Sequence, residues 1–213
     1  IYSVGFKINN RKKNNFFQIF HYKKNLSSFT KIFCEDLITY DFLKFINPHK
    51  KKIIHNTRFN QILENSRKKI KDLKIIDFIK NKKVIIYGST EFSDYKVIEN
   101  YISNNRSIKH IIVPHEENKK TIKYLQSCFK NQTLLYSELK NNKIKKNILI
   151  VDKFGILNNL YRYSTIAYVG GGFEKGVHNT LEPAIHGNLI LFGPNHTNFP
   201  ETDSLIKHQI ASV

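Results

Sequence analysis

The 213-residue sequence contains no methionine, no tryptophan and only two cysteines. Cys34 and Cys128 lie far apart in apolar surroundings, which excludes a disulfide-rich scaffold or a cysteine-based zinc cluster and predicts buried thiols in a reducing compartment. No run of about 20 apolar residues occurs, so no transmembrane helix is predicted. Because the sequence does not begin with methionine, we expect it to be a segment of a longer protein.

Negative charge and arginine are also scarce, with 35 Lys+Arg against 17 Asp+Glu, a net charge of +18 and five arginines. Such a charge can indicate binding to nucleic acid or to an anionic membrane surface. A compositional bias that places lysine on solvated faces is the interpretation we favour, because alanine is rare and Ile and Asn recur throughout. No stretch interleaves arginine with aromatic residues as single-strand binders do, which disfavours nucleic acid.

Glycine is rare and unevenly distributed, since seven of the nine glycines lie between Gly155 and Gly193. Three of them are consecutive, Gly170 to Gly172, and Gly176 follows shortly before a predicted helix. Glycine serves where the backbone bends sharply or approaches a ligand. The segment 168–184 therefore predicts an anion and ribose site at the end of a parallel sheet.

From residue 84 onward, short apolar runs alternate with helical segments. The predicted strands are 84–87, 110–113, 133–136, 147–151, 165–169 and 189–192, and the predicted helices are 94–103, 119–129, 156–163 and 178–186. Apolar runs without alternation are typical of parallel strands buried on both faces, and intervening helices indicate a doubly wound α/β sheet. Before residue 84 we predict a surface helix or loop at 1–25, strands at 29–34 and 51–54, a helix at 35–46 and a basic helical segment at 61–81.

Doubly wound sheets bind ligands at the carboxyl ends of their strands, so the loops after the predicted strands define the candidate site. These loops are Gly88-Ser89-Thr90, Pro114-His115-Glu116, Asp152 to Gly155, Gly170 to Gly172 and Gly193-Pro194-Asn195. All of them carry glycine, proline or polar side chains, which favours a nucleotide pocket.

Four polar side chains near these loops each have two interpretations. Asn179 and Glu182 fit a capping box, but they also fit a helix start that binds phosphate while Glu182 accepts hydrogen bonds from a ribose diol. The preceding glycines favour the ligand site. His178 is either a core histidine or a polar ligand contact, and Arg58 is either a bidentate phosphate donor or part of a structural salt bridge. Nothing in the sequence predicts a catalytic triad, a Walker-type loop or a metal site.

Several motifs together resemble the donor half of 3-deoxy-D-manno-octulosonic acid (Kdo) transferase, the lipid A glycosyltransferase. They are Asp152 to Leu157, Leu160 to Tyr163, Ala167 to Phe173, Gly176 to Ala184 and Leu191 to Asn195, preceded by Thr57-Arg58-Phe59, Gly88 to Thr90 and Ile112 to Glu116. The similarity covers residues 30–205 and is most specific from 152 to 195.

The resemblance implies an α/β fold of GT-B type and transfer of Kdo from CMP-Kdo to a lipid A precursor (lipid IVA), with CMP as product and no metal or other cofactor. It implies a nucleotide-sugar donor and a lipid acceptor as partners, no nucleic acid, and a location at the cytoplasmic face of the bacterial inner membrane. Residues 1–57 would end the N-terminal acceptor domain, and residues 58–213 would form the donor-binding Rossmann-like domain. The oligomeric state is left open.

The resemblance also assigns roles by motif match. Pro114 and His115 would contact CMP, Gly155 to Leu157 would line the cytosine pocket, Asn179 to Glu182 would hold phosphate and ribose, and Arg58 would steady the leaving phosphate. The predicted catalytic residue is Arg58, and the predicted donor-binding residues are Gly88, Ser89, Pro114, His115, Gly155, Ile156, Leu157, Gly171, Gly172, His178, Asn179, Thr180, Leu181 and Glu182.

The sequence departs from the family around Arg58, where His55-Asn56 and Asn60 replace acidic and glycine positions. The family's catalytic base, a glutamate of the N-terminal domain, has no counterpart in residues 1–54, so we expect this chain to bind CMP better than it catalyses transfer. The alternatives are a GT-B transferase that uses a UDP-sugar, a basic nucleic-acid-binding module, and a degenerate protein that keeps only the fold.

Overall fold

The computed structural model describes residues 2–6, 24–34, 37–54, 57–67, 71–139, 146–197 and 199–213. Contacts divide the chain into two compact units, Ile1–Leu63 and Glu64–Val213. The division falls within a helix, α2 (Thr57–Arg67), and the predicted boundary after residue 57 falls at the start of the same helix. That the first unit ends an acceptor domain stays a prediction.

The first unit contains a parallel sheet with the strand order β1 (Tyr2–Phe6), β2 (Lys31–Cys34) and β3 (Lys51–Ile53), with helix α1 (Leu37–Phe42) between β2 and β3. Leu26, Ile32, Cys34, Leu43 and Ile46 form its buried core. The predicted strands at 29–34 and 51–54 are confirmed. The surface helix or loop predicted for 1–25 is wrong at 2–6, where residues 2, 4 and 6 follow the period of a strand; residues 7–23 lie outside the described part.

The second unit is built on a seven-stranded parallel sheet in the order β10-β9-β8-β4-β5-β7-β6. Its strands are β4 (Val84–Thr90), β5 (Lys109–Pro114), β6 (Thr133–Leu135), β7 (Ile148–Ile150), β8 (Ile166–Val169), β9 (Leu189–Phe192) and β10 (Ala211–Ser212). Its helices are α3 (Leu73–Ile79), α4 (Phe92–Asn104), α5 (Lys119–Phe129), α6 (Leu157–Leu160), α7 (Leu181–Ile185) and α8 (Pro200–Lys207).

Both faces of this sheet are covered, because successive side chains of a strand point to opposite faces. Ile86 of β4 packs into one core with Phe78 of α3, whereas its neighbour Ile85 packs into another with Ile98 of α4. The apolar runs therefore form a doubly wound sheet, as predicted.

The strand order changes direction at β4, which pairs with β5 on one side and β8 on the other. In doubly wound sheets such a switch point opens a crevice at the carboxyl ends of the strands. All six strands predicted after residue 83 are present, and so are the four predicted helices, although α6 and α7 are shorter. The segment predicted as helical at 61–81 contains two helices, and α8 and β10 were not predicted.

The helices within the described residues are all too short or too polar to cross a bilayer.

Candidate functional site

Two clefts lie at the carboxyl edge of the large sheet and share the side chain of His115. The first cleft has a volume of ≈ 310 Å³ and brings together six predicted donor-binding residues: Ser89, Pro114, His115, Gly155, Leu157 and Glu182. The second cleft has a volume of ≈ 400 Å³ and contains a seventh, His178. Loops from four different strands thus meet at one edge of the sheet.

The floor of the first cleft is set by a bulge at the end of β4. The register with β5 shifts between Gly88 and Thr90, and Ser89 between them has a left-handed φ of +52°. Such a bulge redirects the side chain that follows it. Gly88 lines neither cleft, the buried ring of Tyr161 leaves no room for a Cβ on it, and its predicted contact with the donor stays a prediction.

Side chains that the sequence analysis missed also line the first cleft: Glu117, Lys153, Phe154 and Asn158. Phe154 is 85% exposed, the most exposed large hydrophobic side chain among the described residues. Lys153 and Phe154 lie inside the motif at 152–155, but the sequence did not show that their side chains, and not only Gly155, would line the cleft. Ile156, which was predicted to contact the donor, is partly buried against the core beneath the cleft.

Asp94 of α4 anchors the glycine loop that follows β8. Its side chain is fully buried and accepts hydrogen bonds from the backbone N of Glu91 at 2.7 Å, from the hydroxyl of Tyr168 at 2.6 Å and from the backbone N of Gly171 at 3.1 Å. Burial and the neighbouring Asp94 raise the pKa of Tyr168, so its hydroxyl remains a donor. One carboxylate therefore ties the start of α4 to β8 and to the glycine loop.

The consecutive glycines are buried and serve close backbone packing. Gly171 has a φ of +88°, and a Cβ on Gly172 would lie 2.6 Å from the backbone N of Gly193. The loops after β8 and β9 consequently touch backbone to backbone. Gly171 and Gly172 line neither cleft, and their predicted contacts with the donor stay predictions.

The start of α7 shows features of both interpretations of Asn179 and Glu182. Asn179 precedes Thr180, the N-cap residue of the helix, and its Oδ1 accepts a hydrogen bond from the backbone N of Leu181 at 3.2 Å, which forms an Asx turn at the helix start. Its Nδ2 donates to Oε1 of Glu182 at 2.8 Å, and Glu182 also lines the first cleft. The hydroxyl of Thr180 is buried and has no hydrogen-bond partner among the described residues.

The second cleft gathers charged and imidazole side chains. Nε2 of His178 lies 2.9 Å from Oε1 of Glu91, and the rings of His115 and His178 stack with centroids 4.3 Å apart and planes 16° apart. One potential metal-ligating atom from each of these three residues lies within 4.8 Å of the other two. The sequence analysis missed Glu91 because it lies 87 residues from His178 in the chain and meets it only across the pairing of β4 with β8.

Arg58 is the second residue of α2, and its side chain lies outside the described part of the structure. Its role at the leaving phosphate stays a prediction.

The chain is similar in sequence to known Kdo transferases. It is 29% identical over 191 residues to the 3-deoxy-D-manno-octulosonic acid transferase of Rickettsia bellii, a match that covers 87% of this chain and 44% of that protein. It is 47% identical over 49 residues to the transferase of the same name from Aquifex aeolicus, covering 22% and 14% of the two chains. No protein-family model matches.

The chain is also similar in fold to a solved domain. The C-terminal CMP-Kdo binding domain of WaaA from Acinetobacter baumannii matches with a TM-score of 0.56 and 20% identity, covering 72% of this chain and 82% of that one. The predicted doubly wound α/β fold and the predicted resemblance to Kdo transferases are both confirmed, and the assignment to the GT-B type stays a prediction. The chain spans less than half the length of the Rickettsia transferase.

Proposed function

We propose that the second unit binds CMP-Kdo and that the protein is a glycosyltransferase which transfers Kdo to a lipid A precursor. The observation that carries the proposal is the first cleft, where six residues assigned to the donor by motif match lie together. Similarity to Kdo transferases over 87% of the chain supports the same substrate. The cytoplasmic face of the inner membrane, where such an acceptor lies, is part of the proposal.

In the proposed complex the cytosine lies against Gly155 and Leu157, and Glu182 accepts hydrogen bonds from the ribose diol. Lys153, which also lines the first cleft, supplies positive charge to the phosphate. Arg58 is proposed to add a planar, bidentate donor there. Fixed positive charge matters most at this position because negative charge grows on the phosphate as CMP departs.

In the proposed reaction, the bond between the Kdo anomeric carbon and the phosphate oxygen breaks as an acceptor hydroxyl oxygen bonds to that carbon. The hydroxyl proton passes to a base, and we assign no residue of this chain to that role. CMP leaves with the electron pair of the broken bond. We propose that the transfer uses no cofactor.

Calorimetric titration of the chain with CMP tests the donor site. We expect binding that UDP matches only at tenfold or greater concentration, and a loss of about tenfold or more in the Glu182→Ala variant, since a hydrogen bond to a charged group contributes about 1.5–3 kcal/mol. Glu201→Ala, on α8, is the matched control and should bind as the native chain does. Failure to bind CMP at millimolar concentration, or equal binding by the Glu182→Ala variant, would refute the assignment.

The same titration separates the competing functions. A UDP-sugar transferase would prefer UDP to CMP. A nucleic-acid-binding module would bind DNA with a steep dependence on salt and would not bind CMP.

A further inference from the structure

We propose that Glu91, His115 and His178 form a binding site for one divalent transition-metal ion, of which Zn²⁺ is the probe. Two imidazoles and one carboxylate are a ligand set that zinc uses in proteins. One potential ligand atom from each residue already lies within 4.8 Å of the other two. The site is argued from these residues alone and does not depend on the proposed donor.

Two of the three ligands are held in place by the surrounding backbone. Glu91 precedes α4, and its backbone N donates to the buried carboxylate of Asp94 at 2.7 Å. The backbone N of His178 donates to the carbonyl of Gly170 at 3.0 Å, within the loop that Asp94 also anchors. The approach of Oε1 of Glu91 to Nε2 of His178, 2.9 Å, is therefore set by the fold.

The third ligand has the freedom that coordination requires. Zinc–ligand bonds of about 2.0–2.1 Å in a tetrahedron place neighbouring ligand atoms about 3.3 Å apart, so closure from separations of at most 4.8 Å needs a movement of at most about 1.5 Å. His115 is exposed, its backbone N donates to the carbonyl of Thr90 and its ring stacks on His178, so the ring can turn until a nitrogen lone pair faces the ion. A water molecule would complete four-coordination.

The charge of the second cleft favours a cation over an anion. The chain as a whole carries a net charge of +18, yet the cleft is lined by Glu91, Glu116 and Glu174 against a single lysine, Lys175. A cation in this cleft is attracted by nearby carboxylates, whereas a phosphate or a carboxylate is repelled by them. The excess is larger than in the first cleft, which Glu117 and Glu182 line together with Lys153.

Calorimetric titration of the purified chain with Zn²⁺ is the direct test. We expect one tight site per chain and at least tenfold weaker binding in His178→Ala and in Glu91→Gln, the latter of which keeps the shape of the side chain and removes its charge. His208→Ala is the matched control: His208 is exposed at the end of α8, and the variant should bind Zn²⁺ as the native chain does. Substitution with Co²⁺ should give the intense visible absorption of a four-coordinate ion.

An unchanged affinity in both His178→Ala and Glu91→Gln, with native circular dichroism, would overturn the proposal and leave the Glu91–His178 contact as a structural hydrogen bond. Absence of any tight site in the native chain would overturn it as well. If His178→Ala fails to fold, Glu91→Gln decides the question, because it retains a hydrogen-bond acceptor for His178. CMP titration of Glu91→Gln, which changes no predicted donor-binding residue, reports separately on the first cleft.

Discussion

Replacing Asp94 with alanine should destabilise the second unit more than any surface substitution. The carboxylate is fully buried and accepts hydrogen bonds from the backbone N of Glu91, the hydroxyl of Tyr168 and the backbone N of Gly171. Alanine accepts none of these bonds. The hydroxyl of Tyr168 and the backbone N of Gly171 would then be buried without a partner, and the part-buried backbone N of Glu91 would lose its partner too, unless water entered the space that the carboxylate vacates.

The magnitude follows from the number of donors. A buried polar group that loses its partner costs about 1–3 kcal/mol, so two buried donors and one part-buried donor, with partial rescue by water, give a loss of about 3–5 kcal/mol in the free energy of unfolding. That is a large part of the 5–15 kcal/mol that stabilises an ordinary domain. Asp94→Asn should cost about 2–3 kcal/mol, because its amide turns a donor toward another donor.

Urea denaturation followed by circular dichroism measures these losses. Asp203→Ala is the matched control, since its side chain is 69% exposed and its one described ion pair, with His196, is 3.6 Å long. We expect that variant to stay within about 0.5 kcal/mol of the native chain. A loss below about 1 kcal/mol for Asp94→Ala would show that the three hydrogen bonds do not act together and would refute the reasoning.

Three further changes test other parts of the unit. Phe154→Ala should weaken CMP binding by about 5- to 100-fold, since stacking of a base on an aromatic ring contributes about 1–3 kcal/mol; Tyr101→Ala on α4 is the control, and equal effects would exclude stacking. Gly172→Ala should destabilise the unit by about 1–3 kcal/mol, because its Cβ would lie 2.6 Å from the backbone N of Gly193, and denaturation with a loss below about 0.5 kcal/mol would contradict that packing. Burial lowers the pKa of His110, so the folded unit keeps it neutral while the unfolded chain takes up a proton below pH ~6.5. The free energy of unfolding should therefore fall as the pH drops below that value, by up to about 1.4 kcal/mol per pH unit, and an equal slope in His110→Gln would refute the assignment.

The sheet of the second unit could be predicted because each internal strand is a short apolar run between polar loops. Elements that form only through a contact with another residue or segment could not be predicted. β10 has only two residues, Ala211–Ser212, and its backbone pairs with β9, a contact that no local sequence pattern predicts. The start of α3, inside the segment predicted as helical at 61–81, depends on Asp72, which accepts hydrogen bonds from the backbone N of Lys74 at 3.0 Å and of Ile75 at 3.2 Å. The sequence analysis missed Asp72 as a helix N-cap because it lies in a lysine-rich stretch.

The first cleft could be predicted for a topological reason: parallel strands place all their carboxyl ends at one edge, so residues far apart in sequence must converge there. The direction in which a loop side chain points cannot be predicted from the topology in the same way. The turn of Ser89 into the cleft and the exposure of Phe154 depend on backbone angles and on neighbours. The second cleft was predicted only in part, because His115 and His178 were expected to contact the donor whereas Glu91, at the start of α4, was not singled out.

The structure changes what the cluster of glycines means. The sequence analysis interpreted the glycines as a sign of close approach to a ligand. In the structure, a Cβ on Gly172 would meet the backbone of Gly193 and the reverse, and a Cβ on Gly88 would meet the ring of Tyr161. The contacts that line the first cleft come from Glu182, Phe154 and their neighbours in other loops. Substitutions at the packed glycines and at the side chains of the cleft should therefore have different effects on stability and on CMP binding when both are measured on the same samples. Gly172→Ala should lower the stability of the unit first, whereas Glu182→Ala should weaken CMP binding in a unit that unfolds at nearly the native urea concentration.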